Sequence, residues 1–232
     1  MYDIIYAGHS AGEYGIFVKK RPDIPSPQRD YEEIEIPGKD GKLYKDLETV
    51  SDIEITIGFN FKGPNDLWLE RFRKAKKWLL EKGQHMLELG DDPDFFYRVK
   101  KVELSDGERT CQAIGNFTAT FVCEGYHYVK DGKEKMEAEK ASYNPYEVSH
   151  PVYHITGEGY CILIVNGKTM NANVGQNLTI DTERMLAYRE DGTLQNTEVQ
   201  GNYEDLYLQE GENTITITPG FDLKIVPNWR CL

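Results

Sequence analysis

Cysteine is scarce in this sequence, and its spacing argues against a metal centre. The 232 residues contain four cysteines, none in a C-x-x-C pair or near a histidine couple at zinc-binding spacing. Two of them, Cys123 and Cys161, lie in apolar, strand-like patterns, which predicts buried free thiols. The other two are Cys111 and Cys231. We therefore predict no metal site and no cofactor.

Long apolar runs and excess basic charge are also lacking. No stretch approaches the roughly 18 apolar residues of a membrane span, and the first residues have no basic segment followed by an apolar one. We expect no membrane association and a soluble product made in the cytoplasm. The formal net charge is -12, which opposes broad binding to phosphates. We expect no sequence-specific nucleic-acid binding.

A catalytic constellation is missing as well. The five histidines are scattered, and no Gly-x-Ser-x-Gly elbow occurs. The acidic run Asp91, Asp92 and Asp94 lacks the glycine and distal glutamate of a calcium loop, so it predicts a turn. Glu204 and Asp205 are expected on an extended segment, where adjacent side chains point opposite ways. We predict that the protein is not an enzyme. The alternative, a glycosidase, needs two carboxylates that face one cleft.

What the sequence does contain is strand patterning. Apolar and polar residues alternate from Ile53 to Phe61, which predicts a strand with one buried face. Upstream, residues 33–36 lead into Pro37-Gly38-Lys39-Asp40-Gly41, where a proline and two glycines predict the tip of a hairpin. Further strands are predicted at 85–89, 95–104 and 117–123, with a turn at 90–94.

One helix is predicted between these strands. Asn65 is a candidate N-cap, Gly83 a candidate end, and the apolar stripe between them is Trp68, Phe72, Ala75 and Leu79. The opposite face carries Glu70, Arg73, Lys74 and Lys77. A basic face of this kind is predicted to be solvated, and the alternative is contact with an acidic partner. A helix on a sheet makes the front domain α+β.

The last third predicts a second domain. Residues 125–150 are polar and charged, typical of a connector. Beyond them, Tyr160 to Val165 reads as a central strand, and Asn166-Gly167 is a strong signal for a two-residue hairpin. About seven short strands fit between Pro151 and Leu232, which favours a β-sandwich. The predicted class is mainly β, with a domain at 1–130, a linker at 131–150 and a sandwich at 151–232.

Taken together, these stretches resemble the distal tail proteins (Dit) of siphophages and prophages. The resemblance spans nearly the whole chain and depends on the order of its segments. Those segments are residues 14–18, 36–41, 87–89, 91–97, 178–183, 191–192, 208–217 and 227–230.

The resemblance implies a structural virion protein at the tail tip or baseplate. It implies a ring-forming front domain, usually hexameric, that joins the tail tube to the host-adhesion device, and a galectin-like β-sandwich behind it. The implied partners are further copies of the chain, the tail tube protein, the tape-measure protein and the receptor-binding proteins. DNA would pass through the lumen, and the protein would be synthesised in the host bacterial cytoplasm before it joins the virion. Under this interpretation we predict intersubunit contacts at Ile34, Ile36, Pro37, Gly38, Lys39, Asp40 and Gly41.

The alternative function is a carbohydrate-binding β-sandwich that recognises bacterial surface glycan. Galectins bind sugar through a His-x-Asn-x-Arg strand and a stacking tryptophan followed by glutamate, and neither pattern occurs after Pro151. His154 is followed by Ile155 and Thr156, and Trp229 lies near the end of the sequence. These departures predict packing, not sugar binding, for Trp229.

Overall fold

A computed structural model describes residues 2–63, 67–83, 85–111 and 113–232. It contains two compact units, Met1–His127 with Leu232, and Tyr128–Cys231. Residues 131–150, predicted as a linker, therefore lie within the second unit. The predicted mainly-β class is confirmed. Among the described helices, none is long and apolar enough to cross a membrane.

The first unit is a sheet covered by one helix. Its strands are β1 Ile4–Tyr6, β2 His9–Ser10, β3 Phe17–Val18, β4 Arg29–Glu35, β5 Lys42–Val50, β6 Ile53–Lys62, β7 His85–Leu89, β8 Asp92–Leu104, β9 Glu108–Arg109 and β10 Ile114–Val129; its helix is α1 Trp68–Leu79. The main sheet runs β2–β1–β7–β8–β10–β6–β3. β6 alternates buried and exposed residues as predicted, and pairs antiparallel with β10.

Helix α1 packs on this sheet through aromatic side chains. Trp68, Ala75 and Leu79 are buried, and Phe72 packs against the same core. Trp78, absent from the predicted stripe, is also buried, and its Nε1 donates to Tyr6 O at 2.9 Å. The predicted helix-on-sheet arrangement is therefore confirmed. The helix ends at Leu79 and is capped at Leu80, before the predicted Gly83. The proposed N-cap, Asn65, lies outside the described residues.

Two strands of the first unit differ in length from their prediction. β8 begins at Asp92, which pairs with Leu89, so the turn predicted at 90–94 is confined to Gly90 and Asp91. β10 continues past Gly125, where the sequence pattern predicted a connector. A Cβ on Gly125 would lie 2.4 Å from Ser51 O, so the glycine permits a close approach of backbone.

The second unit is built around a long hairpin. Its elements are β11 Met136–Glu137, α2 Ala138–Ala141, β12 Tyr143–Asn144, β13 Val152–Val165, β14 Lys168–Asp181, β15 Leu186–Tyr188, β16 Val199–Gln200, β17 Gly211–Glu212, β18 Ile215–Ile217, β19 Asp222–Val226 and β20 Arg230–Cys231. The sheet runs β11–β19–β13–β14–β15, with β18 on β13 and β16 on β14. Two strands of 14 residues thus replace several of the predicted short ones.

The predicted turn at Asn166-Gly167 is confirmed as the tip of this hairpin. Both residues have positive φ, 51° and 78°, as a two-residue hairpin turn requires. Asn166 Nδ2 donates to Asn213 Oδ1 at 2.8 Å, and Asn166 Oδ1 accepts from Thr214 N at 2.9 Å. The turn is therefore held by the segment that enters β18.

The core of the second unit lies under β13 and β14. Tyr153, Leu163 and Ile180 are fully buried, and the Tyr153 hydroxyl donates to Leu206 O at 2.7 Å. Ala141 is buried in the same core, and β11 pairs with β19. Residues of the predicted linker therefore help to close the core.

Candidate oligomerisation surface

Residues 29–50 of the first unit form a two-stranded antiparallel ribbon, which we call the arm. Its strands, β4 and β5, pair with each other and with no other strand among the described residues. Ile34 lies opposite Leu43, and Glu32 lies opposite Lys45. The ends of the arm are close together, because Ser51 N donates to Gln28 O at 2.8 Å. The ribbon is therefore an excursion from the sheet, which the chain rejoins at β6.

Almost every residue of the arm is exposed. Only Asp30, Ile34 and Val50 are half-buried, and the remaining residues of 29–50 are open to solvent. The exposed residues include Tyr44 at 58% and Leu43 at 49%. An isolated two-stranded hairpin is marginally stable in water, because it has no core to bury. The arm therefore has apolar surface that this copy of the chain leaves uncovered.

Both faces of the arm carry apolar side chains. Leu43 and Leu47 are four residues apart on β5, so they share a face, and Ile34 lies opposite Leu43 on that face. Tyr31 and Tyr44 lie on the other face, with their rings edge-to-face at 6.3 Å between centroids. The residues between them are charged. Each face is therefore amphipathic.

Ion pairs across the arm set its register. Lys42 pairs with Glu33 and, at 4.0 Å, with Glu35, while Lys45 Nζ lies 3.6 Å from Glu32 Oε2. Arg29 lies 3.8 Å from Asp46. Surface pairs of this kind contribute only about 0–1 kcal/mol each to stability. They specify how the strands align more than they stabilise the ribbon.

The tip of the arm contains most of the residues predicted as an interface. Gly38 and Gly41 have φ of 83° and 82°, so the predicted turn is present, and Lys39 N donates to Ile36 O at 3.1 Å. This tip has a shallow, open depression on its surface, lined by Glu35, Ile36, Pro37, Lys39, Gly41 and Lys42. Sequence reasoning missed the exposed Tyr31, Leu43, Tyr44 and Leu47, because the pattern of β5 does not alternate. That the tip contacts another copy stays a prediction.

The outer face of α1 is the basic surface predicted from sequence. Arg73, Lys74 and Lys77 are exposed on it. Lys74 Nζ lies 2.8 Å from Glu70 Oε1, and its hydrogen bond lowers the pKa of Glu70. Leu69 and Leu80 are 60% and 52% exposed beside these charges. The outer face is therefore apolar as well as basic. Its exposed leucines, Leu69 and Leu80, were not part of the prediction from sequence.

The acidic residues that the sequence offered as metal ligands or catalytic carboxylates lie in different parts of the chain and make different contacts. Asp91 Oδ1 accepts from the Tyr2 hydroxyl at 3.1 Å, and Asp91 Oδ2 lies 3.8 Å from Arg21. Glu204 and Asp205 lie in a short 3₁₀ helix, not on the extended segment that the sequence predicted. Within the described ranges, no group of three or more histidine, cysteine or acidic side chains is placed to hold a metal ion.

The two buried thiols are the cysteines predicted to be buried. Burial raises the pKa of Cys123 to about 12 and that of Cys161 to about 11. Cys111, Cys123 and Cys161 are free thiols, and Cys111 is exposed. A neutral, buried thiol is a poor nucleophile. Cys123 and Cys161 therefore act as core residues, one in each unit.

The second unit presents one prominent aromatic side chain on its sheet. Tyr160 is 62% exposed and lies opposite Asn173, whose Nδ2 donates to Glu198 Oε2 at 2.8 Å. His154 Nδ1 lies 3.0 Å from Thr179 Oγ1 on the same two strands. A Cβ on Gly132 would lie 2.8 Å from Trp229 N, so the chain around Trp229 packs closely.

A comparison with solved structures finds a similar chain over the full length. It is the SPP1 Dit (gp 19.1) protein, described as a paradigm of the hub adsorption apparatus in phages that infect Gram-positive bacteria. The TM-score is 0.70, the identity is 14%, and the match covers 100% of each chain. No protein-family model matches the chain, and no curated protein matches it by sequence. At this identity the likeness shows the fold, and the resemblance of fold predicted from sequence is confirmed.

Proposed function

We propose that this protein is a structural component of a siphophage or prophage tail tip, an oligomeric hub that connects the tail tube to the host-adhesion device. The fold that it shares with the SPP1 Dit protein supports this role. The observation that carries it is the arm, whose apolar side chains, among them Leu43 and Tyr44, are exposed in the part of the chain that the structure describes. A closed ring of copies would cover those side chains.

In this hub the arm is the intersubunit contact. The tip residues Ile36 to Gly41 and the flanking Ile34 contact a neighbouring copy, and the family resemblance favours six copies in the ring. The first unit then forms the ring, and the second unit is a galectin-like domain attached to it. The partners are the tail tube, tape-measure and receptor-binding proteins, with the tape-measure protein and then DNA passing through the lumen. The hub has no enzymatic role.

Excision of the arm tests the hub directly. Because Gln28 and Ser51 are hydrogen-bonded to each other, a short Gly/Ser linker can replace residues 29–50 without moving the ends. We expect the full chain to form a ring of several copies by mass photometry, alone or with its tail partners, and the arm-less chain to remain a monomer. Continued protection of the Cys123 thiol from labelling would show that the arm-less chain is folded.

A full chain that stays monomeric at high concentration, even with its tail partners present, would contradict the hub. An arm-less chain that still forms the ring would contradict the role of the arm. Electron microscopy of the purified ring then gives the number of copies.

Binding of surface glycan by the second unit is a second candidate function, and the exposure of Tyr160 favours it. Exposed aromatic rings beside amide and carboxylate groups can stack on a sugar ring and bond to its hydroxyls. A pull-down of the full chain with purified cell walls tests it. We expect Tyr160→Ala to lose binding if the candidate is right, and absence of binding by the wild-type chain would exclude it for those walls.

A further inference from the structure

The turn at the tip of the β13–β14 hairpin contains the one Asn-Gly pair of the sequence, Asn166-Gly167. Such a pair is open to spontaneous hydrolysis of the asparagine amide. Glycine has no Cβ, so its backbone nitrogen can approach the carboxamide carbon of the residue before it. Both residues are exposed, and water therefore reaches them. The turn contains the reacting groups, and the surrounding contacts decide how often they meet.

Two hydrogen bonds hold the Asn166 carboxamide against the segment that enters β18. Asn166 Oδ1 accepts from Thr214 N at 2.9 Å, and Asn166 Nδ2 donates to Asn213 Oδ1 at 2.8 Å. The backbone adds a third bond, from Asn166 N to Thr214 O at 2.8 Å. Closure of a ring on Gly167 N turns the carboxamide away from both of its partners. The reaction therefore requires this contact to open.

The Asn213 side chain is itself fixed in one orientation. Its Oδ1 also accepts from Gln209 N at 2.8 Å, and its Nδ2 donates to Gln209 O at 2.8 Å and to Gly211 O at 3.0 Å. Because a backbone N–H only donates and a carbonyl only accepts, these bonds determine which end of the amide is the oxygen. Asn213 is 4% exposed. It therefore presents an acceptor to position 166 and cannot flip to present a donor.

We propose that Asn166 is a modification site, whose carboxamide becomes a carboxylate when its contact with Asn213 and Thr214 opens. Gly167 N loses its proton to hydroxide and bonds to Asn166 Cγ, the bond from Cγ to Nδ2 breaks, and ammonia leaves with a proton from water. A second water then opens the cyclic imide to aspartate or isoaspartate. In the aspartate product, an oxygen faces Asn213 Oδ1 with no proton between them. The two acceptors repel, and the tip of the hairpin is released from residues 213–214.

This proposal goes beyond the hub and does not depend on the ring. The reaction consumes only water and is irreversible once ammonia is lost. It therefore marks chains in which the tip of the second unit has opened, and it keeps that tip from closing again.

The rate of ammonia loss at Asn166 tests the proposal. The full chain is incubated at mildly alkaline pH, folded or in urea, and peptide mapping by mass spectrometry gives the converted fraction. We expect the folded chain to react at least about tenfold more slowly than the chain in urea, because the hydrogen bonds of the carboxamide must open first. Asn213→Ala should raise the rate of the folded chain at least about threefold.

A matched control separates the contact from general stability. Thr182→Val removes one buried hydrogen bond, from Thr182 Oγ1 to Pro151 O, beyond the other end of the hairpin. It should leave the rate at Asn166 within about twofold of wild type. Protection of the Cys161 thiol from labelling shows that each variant is folded. Asn166→Gly has no carboxamide and suits the φ of 51° at this position, so its peptide should show no conversion.

The effect of the product is tested by an isosteric variant. Asn166→Asp replaces the amide nitrogen by oxygen and should raise the equilibrium constant for unfolding of the second unit about tenfold, because a repulsion replaces a hydrogen bond. Asn177→Asp makes the same change of charge in the same hairpin. Asn177 Oδ1 accepts from Glu190 N at 2.9 Å, and a carboxylate retains that bond. This control should unfold within about twofold of wild type.

Four results would each overturn the proposal. They are equal rates for the folded and the urea-treated chain, an Asn213→Ala chain that reacts no faster than Thr182→Val, conversion that persists in Asn166→Gly, and an Asn166→Asp chain as stable as Asn177→Asp. None of these results bears on the hub, which the arm-less chain tests separately.

Discussion

The β13–β14 hairpin and the arm are both antiparallel hairpins, but they differ in how much of their surface is buried. In the β13–β14 hairpin, one face of each strand is buried in the core of the second unit, and Leu163 and Ile180 are inaccessible to solvent. In the arm, both faces are exposed, and neither strand pairs with any other strand in the part of the chain that the structure describes. Hydrogen bonding between the strands is similar in kind. The difference lies in burial, which supplies most of the free energy that holds a strand in place.

This contrast indicates that the two hairpins contribute differently to the stability of the chain. The β13–β14 hairpin stabilises the unit that contains it. The arm instead combines exposed apolar side chains with cross-strand ion pairs, which specify how its two strands align. If the arm is the proposed intersubunit contact, a register already specified in the monomer would lower the ordering cost of association.

Truncation of one leucine in each hairpin should give the largest difference in unfolding free energy between the two hairpins. Leu163→Ala removes a fully buried side chain and should lower the free energy of unfolding of the second unit by about 2–5 kcal/mol. Leu43→Ala removes an exposed side chain and should change the unfolding free energy of the monomer by less than about 0.5 kcal/mol. Urea denaturation followed by circular dichroism measures both.

The rate of thiol labelling shows which of the two units a leucine variant destabilises. Cys161 lies in the core of the second unit and Cys123 in that of the first. Leu163→Ala should therefore accelerate labelling of Cys161 and leave that of Cys123 unchanged. Equal losses of stability for the two leucine variants would mean that the arm is packed in solution.

Glycine replacements give a smaller contrast. A Cβ on Gly157, in β13, would lie 2.4 Å from Phe221 Cδ1 at a φ of 153°, so Gly157→Ala should destabilise the second unit by about 1–3 kcal/mol. Gly38 has a φ of 83° and open space around it, so Gly38→Val adds only backbone strain of roughly 1–2 kcal/mol within the arm. Thermal unfolding of the monomer should detect the first change and scarcely the second.

Gly38→Val should still disturb the ring, because the strain distorts the tip. Mass photometry gives the fraction of chains in the ring. A ring population equal to that of wild type would indicate that the tip of the arm is free of contacts.

The smallest effect is expected for a single cross-strand charge. Lys45→Ala removes the pair with Glu32, which is exposed to water, and should change the unfolding free energy by no more than about 1 kcal/mol. Addition of salt should reduce the difference between variant and wild type, because exposed charges are screened. A larger loss of unfolding free energy that does not depend on salt would show that Lys45 is shielded from water, as it would be by contact with a neighbouring copy.

Local patterns in the sequence predicted the elements whose signal is short-range. The alternation in β6, the stripe of α1 and the Asn166-Gly167 turn depend on neighbouring residues, and each is found as expected. The extent of β10 and the place of residues 131–150 in a core depend on distant partners. One such distant contact is the close approach of Gly125 to Ser51 O, which the local pattern of apolar and polar residues does not predict.

The candidate surface was predictable only in part. Pro37, Gly38 and Gly41 mark the tip because turns need particular residues, and the structure has the positive φ that the glycines imply. The apolar face of Leu43 and Leu47 was not recognised, because apolar and polar residues do not alternate along β5. Exposure is a property of the whole fold, and only the three-dimensional structure reveals that these leucines have no cover.

The exposed arm has a consequence for chains that remain unassembled. A protease needs a stretch of backbone that it can pull into its active site, and loosely held surface ribbons open more often than core strands. A lone chain offers such a stretch between Arg29 and Val50, with lysines at positions 39, 42 and 45. If the arm is buried in the proposed ring, assembly would hide those cleavage points, and a protease would degrade lone chains faster than assembled ones.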